Sequence, residues 1–222
     1  MKHGFRFEDG LEPDIFVSNS LVEMYLKNGS IDEAVKMFER MGGRDRVSWN
    51  AMIVGYAQNG RGEEALHLFK RMLVSGEKPD HVTMMGVLSA CGHAGLVDEG
   101  RRYFKSMTKE YGLVPSRDHY TSIVDLLGRA GHLEEVEKFI KGMSVEPDSV
   151  LWGSLVAVCR IHGNVKMGEW AAERLFETDY ESSGSYVLLS NMYAERGRWA
   201  DVAKRRMMKQ GVVKQPGAVG LR

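Results

Sequence analysis

The sequence predicts an all-α fold, a solenoid of helix-turn-helix hairpins, and three observations predict it. A glycine recurs in similar surroundings at Gly29, Gly60, Gly95, Gly131, Gly163 and Gly197, at intervals of 31, 35, 36, 32 and 34 residues. Apolar residues stand four and eight places before these glycines, and small or β-branched residues stand five places after them. Acidic pairs follow four of the glycines, and Pro-Asp turns stand at three of the unit boundaries. A spacing of four puts side chains one turn apart on one helix face. The glycine between two such sets suits a left-handed helix stop. A single hairpin of this size cannot bury its apolar face alone, so neighbouring hairpins must stack.

The first hairpin follows the turn Glu12-Pro13-Asp14. Leu21 and Tyr25 precede Gly29, Asp32-Glu33 open the second helix, and Ala34, Phe38 and Met41 follow. In the next unit Met52 and Tyr56 precede Gly60; Glu63-Glu64, Ala65, Phe69 and Met72 follow, and Lys78-Pro79-Asp80 closes it. Val87 and Cys91 precede Gly95, with Asp98-Glu99, Gly100, Phe104 and Met107 after it. Ile123 and Leu127 precede Gly131, with Glu134-Glu135, Val136, Ile140 and Met143 after it, up to Glu146-Pro147-Asp148. Leu155 and Cys159 stand before Gly163, with Gly168 after it; Leu189 and Tyr193 stand before Gly197, with Val202 after it. The acidic pairs favour the positive end of each second helix. The small residue lets the second helix approach the first, and the Phe and Met columns read as core filler. Proline blocks further helix, and the aspartate after it can cap the next one.

Composition narrows the class. With 43% hydrophobic and 27% charged residues the chain is an ordinary folded one. Thirty basic and thirty acidic side chains cancel, so net charge gives no support for nucleic-acid binding, although a local basic stripe is compatible with it. Cys91 and Cys159 are too few for a disulfide framework and read as small core residues in a reducing compartment. No apolar run reaches the roughly 18 residues of a membrane span. The N-terminal MKHGFRFEDGLEPD has neither the apolar stretch of a secretory signal nor the Arg and Ser content of a transit peptide, so no targeting segment is visible.

With the repeat laid out, the sequence resembles the pentatricopeptide repeat proteins, in particular the plant PLS subclass with C-terminal E motifs. The residues that carry the likeness are VSWNAMIVGYAQNGRGEEALHLFKRM with its closing KPD, LSACGHAGLVDEGRRYFKSM, HYTSIVDLLGRAGHLEE, LWGSLVAVCRIHGNVKMGEWAAERL and SYVLLSNMYAERGRWADVAK. The succession of unit lengths is similar too. Residues 1–14 resemble the tail of a preceding L repeat, 15–45 an S repeat, 46–80 a P repeat, 81–116 an L repeat and 117–148 an S repeat. Residues 149–182 and 183–214 resemble two E motifs, and 215–222 form a C-terminal tail. The resemblance implies a right-handed α-solenoid. Tetratricopeptide repeats share the hairpin logic, but their W-x-x-L-G-x-x-Y pattern is not what these units show.

Ten residues before the glycine the column reads Asn19, Asn50, Met85, Thr121, Gly153 and Val187. Taken alone, Asn and Thr near a helix start suit capping or the first turn. The resemblance implies another role, because this family binds single-stranded RNA at one base per repeat. Its reading pair is the fifth and the last residue of a repeat, which here gives Asn19 with Asp45, Asn50 with Asp80, and Thr121 with Asp148. A carboxamide offers both donor and acceptor to a base edge, a hydroxyl does so more weakly, and the aspartate can orient either one or bridge through water. In the family Asn with Asp favours uracil and Thr with Asp favours guanine, while Met85 with Ser116 matches no strong preference. The implied order is U, U, any base, G, running 5′ to 3′ along the chain. Apolar residues at the second repeat position sandwich the bases in the family. Phe16, Val47 and Val82 fit that place, and Asp118 does not.

Nothing in the chain resembles a P-loop, a nucleophile elbow or a dinucleotide fingerprint, and no cofactor or metal site is expected. The zinc deaminases joined to some relatives need H-x-E and P-C-x-x-C. His132-Leu133-Glu134 has the first form, but no C-x-x-C exists, and His132 reads as the start of a surface helix. Cys159 and His162 are spaced like a metal pair with no second pair evident. Lys204, Arg205 and Arg206 read either as a solvated helix face or as a contact for RNA or a protein partner. The resemblance therefore implies a non-enzymatic RNA-binding specificity factor of mitochondrion or chloroplast. It would serve C-to-U editing with a deaminase-bearing protein supplied in trans. The other class compatible with the hairpins is a protein-interaction solenoid without RNA affinity.

Overall fold

A computed structural model describes residues 14–178 and Ala194. The second E motif (183–214), the C-terminal tail (215–222), Lys204, Arg205 and Arg206, and all of the expected preceding repeat tail except Asp14 lie outside the described residues. Among the described residues are ten α-helices: α1 (Ile15–Lys27), α2 (Ile31–Arg40), α3 (Arg46–Gln58), α4 (Gly62–Val74), α5 (His81–Ala94), α6 (Val97–Lys109), α7 (Arg117–Arg129), α8 (Leu133–Lys141), α9 (Ser149–Ile161) and α10 (Val165–Thr178). They alternate as the first and second arms of hairpins. None is long and apolar enough to cross a membrane. The chain divides into two compact units, Met1–Leu126 and Leu127–Arg222, with the division inside α7.

Four of the five described first arms start at aspartates. Asp14, Asp45, Asp80 and Asp148 are the N-caps of α1, α3, α5 and α9, each accepting a backbone N–H of the first turn. The acidic pairs stand in the first turns of α2, α4, α6 and α8, against the exposed N–H groups there. Among the described residues the glycines of the repeat column, Gly29, Gly60, Gly95, Gly131 and Gly163, have positive φ, from 61° at Gly163 to 83° at Gly131, and reverse the chain between the arms.

In the first unit α1, α3 and α5 lie side by side, and α2 and α4 each pack on their own first arm and on the next one. Val22, Ile53 and Leu88 are fully buried along the first arms. They stand seven places before their glycines, beside the expected column, which is itself fully buried at Met52 and Val87 and half-buried at Leu21. Ala34 and Ala65 are fully buried at the small position, and a Cβ on Gly100 would collide with the Leu126 side chain. The Phe column reaches into the following hairpin. Phe38 meets Trp49 and Phe69 meets Tyr103 edge to face, at centroid distances of 5.1 and 5.6 Å. At the far end of the arms Asn59 Nδ2 donates to its own Gly55 carbonyl at 2.8 Å and to Leu26 of the preceding arm at 3.3 Å.

The second unit repeats the scheme. Leu155 and Val156 are fully buried on α9, and Trp152 of α9 packs edge to face on Trp170 of α10. His162 Nε2 donates to the Arg129 carbonyl at 3.2 Å, the counterpart of the Asn59 bond. Cys91 and Cys159 are fully buried in their respective units, and burial pushes both thiols up to about 12. They are core residues with almost no thiolate at neutral pH. His132 is the exposed residue at the start of α8, with Glu134 exposed in its first turn.

Candidate functional site

The N-terminal turns of the first arms invert the usual placement of side chains. Phe16, Val47 and Val82, second residues of α1, α3 and α5, are 75%, 55% and 51% exposed. One turn later, Asn19 and Asn50 are only 9% and 8% exposed. An apolar surface residue is ordinary taken singly, but a buried carboxamide needs partners. Those partners come from the next hairpin.

Between α3 and α5 a closed cluster forms. Asn50 Nδ2 donates to Asp80 Oδ1 at 3.0 Å and to Oδ2 at 3.3 Å. The Thr83 hydroxyl lies 2.6 Å from Asn50 Oδ1 and donates to it; Asp80 Oδ1 is 3.0 Å away. Asp80 meanwhile accepts the Thr83 backbone N–H at 2.9 Å, and its own N–H donates to the Thr83 hydroxyl oxygen at 3.0 Å, a capping box. Burial would raise the Asp80 carboxyl, but the Thr83 backbone N–H, the Asn50 amide and the Arg46 charge together hold it below its usual range. The carboxylate is thus ionised and can only accept, which turns the Asn50 NH2 toward it.

Between α1 and α3 the cluster is open. Asn19 Nδ2 donates to Asp45 Oδ1 at 3.3 Å, and Ser48 caps the same oxygen with its backbone N–H and its hydroxyl, both at 2.9 Å. Asn19 Oδ1 is buried with no hydrogen-bond partner. Burial tends to raise Asp45 as well, and the Ser48 and Asn19 donors, with the Val47 N–H, outweigh it.

Between α5 and α7 the chemistry changes. Met85 is exposed, and Ser116 takes the place of the aspartate. The Ser116 N–H and hydroxyl both approach His119 Nδ1, and His119 Nε2 lies 3.0 Å from the His81 carbonyl. A backbone N–H on one side and a carbonyl on the other select the neutral tautomer with its proton on Nε2. Burial holds His119 below its ordinary range.

The pairs expected from the sequence fare differently. Asn19 with Asp45 and Asn50 with Asp80 are brought together across successive hairpins. Thr121 and Asp148 fall in different units. The Thr121 hydroxyl donates to the Arg117 carbonyl at 3.1 Å, and Asp148 caps α9 through the Leu151 N–H at 3.0 Å. Asp118 is exposed at the start of α7. Sequence reasoning missed Ser48, Thr83 and His119, the residues three after each cap; the Asp-x-x-Ser and Asp-x-x-Thr spacings were the available signal. It also missed Val150, the 66% exposed second residue of α9.

Comparisons with known proteins bear on the family and the fold. The PPR repeat and PPR repeat family descriptions match residues 9–42, 44–93, 82–111 and 118–146, and the E motif matches 162–221. The chain belongs to the pentatricopeptide repeat family. The pentatricopeptide repeat-containing protein At2g13600 of Arabidopsis thaliana is 60% identical over 219 residues, which are 98% of this chain and 31% of that protein. The Arabidopsis protein At3g26782, named as mitochondrial, is 47% identical over 210 residues, 94% of this chain and 32% of its own length. The chain thus spans about a third of the length of these pentatricopeptide relatives. Among solved structures, the pentatricopeptide repeat protein PPR10 from maize superposes with a TM-score of 0.73 at 22% identity, covering 91% of this chain and 30% of that one. The PPR domain of Arabidopsis protein-only RNase P 1, crystallised with tRNA, gives a TM-score of 0.64 at 16% identity, over 81% of this chain and 98% of that one. These likenesses are of fold, an α-solenoid of pentatricopeptide hairpins.

Proposed function

We propose that this chain is part of a sequence-reading array for single-stranded RNA, with residues 15–45, 46–80, 81–116 and 117–148 acting as S, P, L and S repeats of the PLS subclass. The observation that carries the reading is the buried Asn50–Asp80 pair flanked by exposed Val47 and Val82. Apolar side chains on either side offer faces for a base, and the carboxamide between them offers hydrogen bonds to its edge. Asn19 with Asp45 and Phe16 repeats the arrangement one hairpin earlier. Thr121 with Asp148 is assigned to the last base of a U, U, any, G order.

The maize PPR10 protein has been crystallised with an 18-nt psaJ RNA element, and two Arabidopsis relatives carry mitochondrial in their names. Both support an organellar RNA-binding role, in mitochondrion or chloroplast. In this reading the repeats of this chain contribute RNA binding rather than catalysis. The chain serves C-to-U editing by placing the E motifs, with Lys204, Arg205 and Arg206, where a deaminase-bearing protein is recruited in trans.

Binding to short single-stranded RNAs containing UUNG, compared with scrambled controls at stated salt, tests it. The proposal expects sequence-preferring binding that Asn50→Asp weakens or redirects at the second base. Binding that ignores both sequence and substitution would overturn it in favour of a protein-interaction solenoid.

A further inference from the structure

We infer that Thr83 is a third determinant of base discrimination at the α3–α5 junction, because its hydroxyl fixes the Asn50 carboxamide that Asp80 has already turned. This rests on the RNA-reading proposal above. In both junctions an ionised aspartate faces the asparagine NH2, by two contacts at Asn50 and one at Asn19, so the amide is turned the same way in each. The difference lies at the other end of the amide. Asn50 Oδ1 accepts the Thr83 hydroxyl at 2.6 Å, whereas Asn19 Oδ1 is buried without a protein donor.

The residue three places after the cap decides which occurs. Ser48 directs its hydroxyl to Asp45 Oδ1 at 2.9 Å. Thr83 lies nearer to Asn50 Oδ1 than to Asp80 Oδ1, and it is fully buried, with its β-branch restricting the side-chain torsion. Its single proton therefore goes to the asparagine. Asn50 is held at both ends before any base arrives, with one lone pair of Oδ1 left for the ligand. Asn19 is held at one end, and its oxygen has no protein donor to fix it. A preorganised amide discriminates between a base with an imino N–H at its edge, such as uracil, and one without, such as cytosine, more sharply than an amide free to adjust.

The test measures the affinity ratio of uracil over cytosine separately at the first and second positions of UUNG, for the parent, Thr83→Val, Thr83→Ser and Ser48→Thr. Thr83→Val should lower the ratio at the second position by about three- to tenfold, the worth of one hydrogen bond, and leave the first unchanged. Ser48→Thr should raise it at the first position. Thr83→Ser keeps the capping hydroxyl and should fall between parent and Thr83→Val, so it answers the question if Thr83→Val folds poorly. Side-chain nitrogen relaxation of Asn50 in the free protein should show Nδ2 more mobile in Thr83→Val. Unchanged ratios in folded variants, or an equal loss at both positions, would overturn the inference while leaving base reading intact. A parent without preference at either position would overturn the base-reading proposal and this inference with it.

Discussion

Between α3 and α5 the first arms are tied by an ionised carboxylate, a carboxamide and a hydroxyl; between α5 and α7 they are tied by a serine and a neutral imidazole reaching a backbone carbonyl. Both ties sit at the same place, from the cap of one first arm to the residue three further on. The first leaves a buried asparagine beside exposed Val47 and Val82. The second satisfies its polar groups among themselves and leaves Met85 exposed. The comparison teaches that mechanical coupling between hairpins and the offer of polar groups to a ligand are separable. In the proposed reading one junction combines them, and its neighbour keeps only the coupling.

The largest way to break the comparison is at Asp80. Asp80→Ala removes the cap of α5 and leaves the buried Asn50 amide without its acceptor, so a loss of about 2–4 kcal/mol in denaturant unfolding is expected. Asp45→Ala should cost less, about 1–2 kcal/mol, because Asn19 is tied by one longer bond. Equal losses would show that the asparagine contributes nothing beyond the cap.

A smaller effect separates the junctions by pH. Both His119 and Asp80 have folded-state values below their ordinary ones. For each, stability is fully present above the unfolded value and is lost as pH falls through the folded one. The unfolded values are about 6.5 for histidine and about 3.9 for aspartate. The His119 junction, with His81 and Asp118 the titratable groups beside it, should therefore weaken first as pH drops from 7 toward 5, and Asp80 should follow only below about pH 4. Unfolding midpoints of the parent and His119→Gln across this range check it. The substitution should flatten the upper window and leave the lower one in place.

Least is expected from the surface. Glu39 and Arg71 join α2 to α4 at 2.8 Å with both side chains substantially exposed. Arg71→Ala should cost about 0.5 kcal/mol by the same denaturant measurement, since solvent screens the pair. A cost matching that of Asp80→Ala would mean that hairpins are coupled along their second arms instead.

The periodicity made the hairpins legible because glycine stops, acidic first turns and Pro-Asp caps are local signals that each turn of sequence carries by itself. Which edge of the apolar stripe faces the next hairpin is not local, which is why Ile53 and Leu88 are buried as fully as Met52 and Val87 of the expected column, and Val22 more than Leu21. Asn50 shows the same limit. Its position near a helix start was readable, but its depth depends on Asp80 and Thr83, thirty or more residues away. His119 carried no signal, because only the fold sets it against the carbonyl of His81.

The aspartate that completes each asparagine also begins the following helix. A polar cluster such as Asn50, Asp80 and Thr83 therefore straddles the seam at which the sequence repeats. Exchanging whole hairpins by cutting after residue 80 would keep the asparagine and its aspartate but import a foreign residue three places on. Cutting after residue 83 would transplant the cluster intact. For anyone splicing such arrays, the natural joint is offset by one helical turn from the seam that periodicity suggests.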